Sequence, residues 1–143
     1  MANYNAVIRT NYFSVADEAR FREIMASCVG TEEAVMIFEP ENGSKKFGFG
    51  CYGTIYGIPP DSEDGDDDED ADLGTFYDAL QSVLADGDAI IITEIGWEKM
   101  RYLVGVCTVI TKREIQCIDV CKKAVELAGE LLGDNGFTTQ MDY

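Results

Sequence analysis

The chain has 143 residues, 46% of them hydrophobic, which is enough for one domain with a sizeable core. It carries 27 Asp and Glu against 11 Lys and Arg, for a net charge of −16, and it has no histidine. That balance argues against direct binding to nucleic-acid phosphates or anionic membranes, and the missing histidine removes the commonest general base and nearly all His-containing zinc sites.

In chain order, Tyr4 to Phe13 reads as a first strand. Ser14 reads as a helix N-cap with Asp17 and Glu18 in the first turn. Phe21, Ile24, Met25 and Cys28 follow at i, i+3, i+4 and i+7, an amphipathic helix closed by Gly30. Ala34 to Phe38 is a short apolar strand, and Asn42-Gly43 signals the turn into an aromatic strand. A second helix starts near Asp72, with Leu73, Phe76, Tyr77, Leu80, Val83 and Leu84 on one face, and ends at Gly87. Ala89 to Thr93 is a buried strand, and Arg101 to Ile110 is its hairpin partner. Thr111 and Glu114 form a capping-box pattern, which predicts a long helix carrying Ile115, Ile118, Val125, Ala128 and Leu132 and stopping at Gly133.

The element order expected is therefore β-α-β-β-α-β-β-α, of α+β class. The sheet is mainly antiparallel with helices on one face, and its first six elements match a ferredoxin-like core. The stretches beginning at Phe21 and Phe76 align without a gap at an offset of 55, an internal α-β-β repeat or two helix-hairpin units patterned alike. All of 1–143 is expected to form a single domain, with 61–72 as an acidic loop between the halves.

Gly48, Gly50 and Gly53 form a G-x-G-x-x-G set. A phosphate cradle of this kind needs a helix immediately after it. Here Thr54 to Gly57 are strand- or turn-like and Pro59-Pro60 follow, so the expectation is a strand with Phe47, Phe49 and Cys51 on one face. Glycine on the other face would suit a close backbone approach. Cys28, Cys51, Cys107, Cys117 and Cys121 are an odd number, read as reduced thiols in a cytoplasm and mostly as small buried hydrophobes. Cys117 and Cys121 lie one turn apart on the expected helix, but no second pair completes a metal site. Met1 to Asn11 does not read as a signal peptide, and no stretch reads as a membrane span.

The most unusual segment is DSEDGDDDEDAD, Asp61 to Asp72. Its acids are Asp61, Glu63, Asp64, Asp66, Asp67, Asp68, Glu69, Asp70 and Asp72, nine of twelve residues, with no base among them. Packing them would desolvate charges that have no counter-ion, so the run is expected in water, extended by its own repulsion. An EF-hand does not fit: with Gly65 at loop position 6, Pro60 falls at position 1 and Ala71 at position 12. One reading is a solvated loop with no partner. The other uses spacing: twelve extended residues reach about 40 Å, which puts a carboxylate about every 4 Å, near the roughly 3.4 Å per phosphate of one DNA strand. Outside the run, 18 of the 27 acids still face 11 bases, and Glu32, Glu33, Glu39, Glu41, Glu126, Glu130 and Asp134 could extend a negative surface.

In size, lack of histidine and charge layout, the chain resembles the acidic DNA-mimic inhibitors that phages and mobile elements use against restriction and CRISPR systems. That resemblance rests on no sequence motif. It implies a stoichiometric inhibitor seated in the nucleic-acid site of a basic nuclease or guide complex, with no cofactor and no catalysis. An immunity protein for a nuclease toxin is the alternative. A metal-dependent enzyme using Glu39 and Glu94, placed at equivalent strand ends in the repeat, has the least support. Trp97, the one tryptophan, lies in the GWEK turn and is a candidate interface anchor, with Tyr52, Tyr56 and Tyr143 as similar candidates.

Overall fold

The computed structural model describes residues 4–40, 43–59 and 71–141. Its elements in order are β1 (Asn5–Thr10), α1 (Glu18–Ala26), β2 (Val29–Gly30), β3 (Met36–Phe38), β4 (Gly48–Tyr52) and β5 (Ile55–Gly57), followed by α2 (Leu73–Val83), β6 (Ile90–Glu98), β7 (Tyr102–Ile110), β8 (Ile115–Asp119) and α3 (Val120–Leu132). The class is α+β. One sheet has the order β3-β4-β1-β6-β7-β8, β2 and β5 form a second, and every pairing is antiparallel.

The strand order β3-β4-β1-β6, with α1 and α2 as the crossovers, is the ferredoxin-like connectivity expected. The full element order differs from the expected one in three places. β2 and β5 are additional short strands, and β8 replaces the start of the long helix. The capping-box pattern does not open a helix. Thr111 Oγ1 instead accepts from the amides of Arg113 and Glu114, and Thr111 N donates to Glu114 O. This tight turn sends the chain back along β7, pairing Ile115 with Ile110 and Cys117 with Thr108. Satisfying the free edge of β7 outweighs the local helix signal. The helix starts only at Val120, where Asp119 caps it by accepting from Lys122 N, and it ends at Gly133 in a left-handed conformation, as expected.

The first helix also starts later than its sequence signal. Asp17, not Ser14, is its cap, accepting from Arg20 N, and the helix ends at Ala26, short of Gly30. Ser14 N is engaged elsewhere, donating to Asp88 Oδ2 at 2.7 Å. α2 begins after Asp72 as expected.

α1 and α2 cover one face of the six-stranded sheet. Phe13, Phe21, Phe49 and Phe76 are fully buried there and meet edge-on, with Phe13 against Phe21 and Phe49, and Phe49 against Phe76. Ile8, Ile90, Ile92 and Ile110 complete the layer. The strand holding Phe47, Phe49 and Cys51 has that side buried as expected, and its glycines face away. A Cβ on Gly50 would lie 2.5 Å from Ile8 O, so glycine is what lets β1 and β4 approach. No helix follows Gly53, which turns the chain from β4 into β5 at φ +90°. α3 does not join the other two helices. It flanks β7 and β8, and Val120 sits against the side of Gly105 that faces away from the core.

The 55-residue offset holds at the level of elements: α1 and α2, β3 and β6, and β4 and β7 coincide. The hairpins lie on opposite sides of β1, which pairs with β4 of the first and β6 of the second.

Candidate functional site

Asp61, Glu63, Asp64, Asp66, Asp67, Asp68, Glu69 and Asp70 lie outside the described residues, as do Glu41 and Tyr143. The frame that carries the acidic run is described. Ile58 N donates to Asp72 O and Asp72 N donates to Ile58 O at 2.8 Å, an isolated antiparallel bridge. Gly57, with φ +117°, brings the chain to this bridge, and a Cβ there would overlap the backbone of Asp72. Thirteen residues lie between the two ends of this bridge.

Asp72 is the one member of the run whose contacts are described. Its carboxylate accepts from Thr75 N at 2.8 Å and from Thr75 Oγ1 at 2.7 Å, capping α2. Those hydrogen bonds hold its pKa below the ordinary carboxylate value. Asp72 thus anchors the run to the helix.

Trp97 is not in the turn. It is in β6, paired with Leu103 and Asn5, one pair short of the closing pair Glu98–Tyr102. Its side chain lies half-exposed on the sheet face opposite α2, so the fold does not bring it together with Asp72. Tyr52 shares that open face, and Tyr56 is exposed on β5.

Glu39 and Glu94 do not converge. Glu39 follows the edge strand β3 and is ion-paired with Arg22 of α1 at 2.6 Å. Glu94 lies three strands away, about 14 Å at ordinary strand spacing, and in the middle of β6 because that strand runs on to Glu98. Among the described residues no three His, Cys, Asp or Glu side chains are grouped to hold a metal ion. Cys117 is exposed on β8 and Cys121 is in α3, so they are not one helical turn apart. All five thiols are unpaired, with only Cys51 fully buried.

Period-two alternation from Ile90 and Ile92 turns Glu94 toward the helices, a signal present in the sequence but overridden by reading the strand as ending at Thr93. Glu94 accepts from Tyr4 Oη at 2.8 Å, and the Tyr4 ring fills the place of a side chain at Gly96. Burial first, and then this hydrogen bond, push the Tyr4 phenol well above its ordinary pKa. Glu94 also borders a cavity of about 290 Å³ between α2 and the sheet, beside Phe76, Tyr77, Thr108 and Cys117. This volume is at the bottom of the range of small-molecule sites.

No protein-family model, no curated protein and no solved structure matches the chain. No helix of the described residues is long and apolar enough to cross a membrane.

Proposed function

We propose that this chain is an acidic binding protein, not an enzyme. It would act in the cytoplasm by occupying the nucleic-acid-binding groove of a basic target, a host defence nuclease or guide complex. The observation that supports this is the acidic run itself: nine carboxylates in twelve residues, set on a frame that closes at Ile58–Asp72 and is fixed to α2 by the Asp72 cap. Frame and cap hold the run's end to a rigid helix, which lowers the entropy lost when the segment binds. A cationic groove would attract it through Coulomb attraction and release of counter-ions, the same terms by which such a groove attracts DNA.

The test uses the immobilised full chain, a lysate of the host, and elution with either salt or double-stranded DNA. Captured proteins should be nucleic-acid-binding, should elute with DNA, and should lose at least about tenfold in affinity between about 50 and 200 mM salt. A variant with Asp61, Glu63, Asp64, Asp66, Asp67, Asp68, Glu69 and Asp70 changed to amides, and Asp72 kept, should capture none of them. Capture that survives those changes would sink the proposal. A single toxin nuclease among the captured proteins would assign the same chemistry to an immunity protein.

A further inference from the structure

Among the described residues, no strand side chain on the sheet face turned away from α1 and α2 is acidic, in a chain with 27 acids. The strand register places its side chains in rows. Tyr52, Val7, Ile95 and Gly105 align across four strands, with Val120 of α3 over Gly105. The adjacent row on one side is Asn5, Trp97 and Leu103, and on the other Met36, Gly50, Arg9, Thr93, Cys107 and Ile118. Arg9 is the one charged side chain among these strand residues, and it is partly satisfied within the chain, over the Phe38 ring and against Tyr12 Oη. Tyr52 is 59% exposed, Ile95 48%, Trp97 45% and Leu103 67%.

We infer that this face is where a second copy of the chain docks, sheet against sheet, about a two-fold axis. Charge decides against the basic target proposed above, because a cationic groove laid here would meet Arg9 and no carboxylate from the strands. Area fits a dimer. At about 150–250 Å² for a large side chain, the exposed apolar residues of the face and Val120 offer on the order of 900 Å², against about 800 Å² per partner in a standard interface. An apolar patch of that size exceeds what a monomer commonly leaves in water. A sheet face with few charges can be complementary to itself about a two-fold axis, and two sheets packed face to face lie about 10 Å apart.

Two copies at −16 repel, so this association should strengthen with salt, opposite in sign to the salt dependence of target binding. That difference keeps the two proposals separately testable. Sedimentation velocity on the purified full chain across micromolar concentrations, at low salt and at about 0.5 M salt, should show a monomer–dimer equilibrium shifted toward dimer by salt. Trp97 is the single tryptophan, so in the unmodified protein its emission should shift to the blue and its quenching by acrylamide should fall as the dimer forms. Ile95→Glu should raise the dissociation constant about a hundredfold or more, because a two-fold contact buries the new carboxylate twice. Tyr56→Glu, exposed on β5, should leave it unchanged. If Ile95→Glu does not fold, judged by circular dichroism, the Trp97 dilution series decides. A monomer under all conditions with unchanged Trp97 emission overturns the inference. So does a dimer indifferent to Ile95→Glu, or protection of Trp97 that appears only when another protein is added.

Discussion

Ile58 and Asp72 are joined by two backbone hydrogen bonds although thirteen residues separate them in sequence. The same Asp72 caps α2 through its side chain, so one residue closes the acidic segment and starts the helix behind it. Glycine at 57 is a condition of this closure, since any side chain there would run into Asp72.

Gly57→Ala should therefore lower stability by about 2 kcal/mol, the cost of a strained left-handed residue, and more if the clash with Asp72 opens the bridge. Urea denaturation of the variant against the wild-type chain measures it. A midpoint unchanged within error would show that the closure is not needed for folding.

Acid should act on Asp72 and Asp88, two carboxylates that accept from backbone amides and have lowered pKa values. Asp72 lies below the ordinary value of 3.8 because Thr75 donates to it. For Asp88, burial pushes upward, but the amides of Ser14 and Ala89 and the charge of Lys46 outweigh it and leave a net lowering. A depressed folded pKa gives stability that is present above the unfolded value and is lost as the pH falls through the folded one. The melting temperature should thus hold down to about pH 4 and fall below it. Asp72→Asn with Asp88→Asn should flatten that acid limb, read by thermal melts from neutral pH downward.

Thiol reactivity should follow burial. Burial first, and then the Cys51 thiol nearby, push Cys28 up to about 12, and burial likewise raises Cys51. Cys117 is exposed on the edge strand. At mildly alkaline pH a disulfide reagent should label Cys117 first and reach Cys28 and Cys51 only on unfolding, because the thiolate is the reactive form. Peptide mapping of the labelled chain identifies the order. Early labelling of Cys28 would contradict the packing of α1.

Phe49→Ala should cost about 3–5 kcal/mol, since its ring is fully buried between Phe13 and Phe76 and the space left cannot collapse. Met36→Ala, on the open face, should cost far less in the monomer. Chemical denaturation of both variants gives the comparison.

Much of this was legible in the residues. The stripe of Phe76, Leu80 and Val83, the alternation of Phe47, Phe49 and Cys51, and the Gly48–Gly50 approach to β1 are local periodicities, and they appear where periodicity puts them. The Thr111–Glu114 pattern misled because the same side-chain hydrogen bonds that open a helix can also close a turn, and the empty edge of β7 chose the turn. Glu39 and Glu94 matched along the chain but not in space, because β1 inserts between the two hairpins and adds strands between them.

The amino-acid order by itself determined the α+β class, the helix stripes, the closely packed aromatic strand and the extreme negative charge, because each depends on spacing along a few residues or on composition. Only the tertiary structure decided that the segment holding the acidic run is closed by the Ile58–Asp72 bridge, that α3 stands apart from the other helices, and that the described strand residues of the open sheet face include no acid. Those facts depend on which strands pair and in what register. Pairing is settled by contacts between residues far apart in the chain, and no local pattern records it.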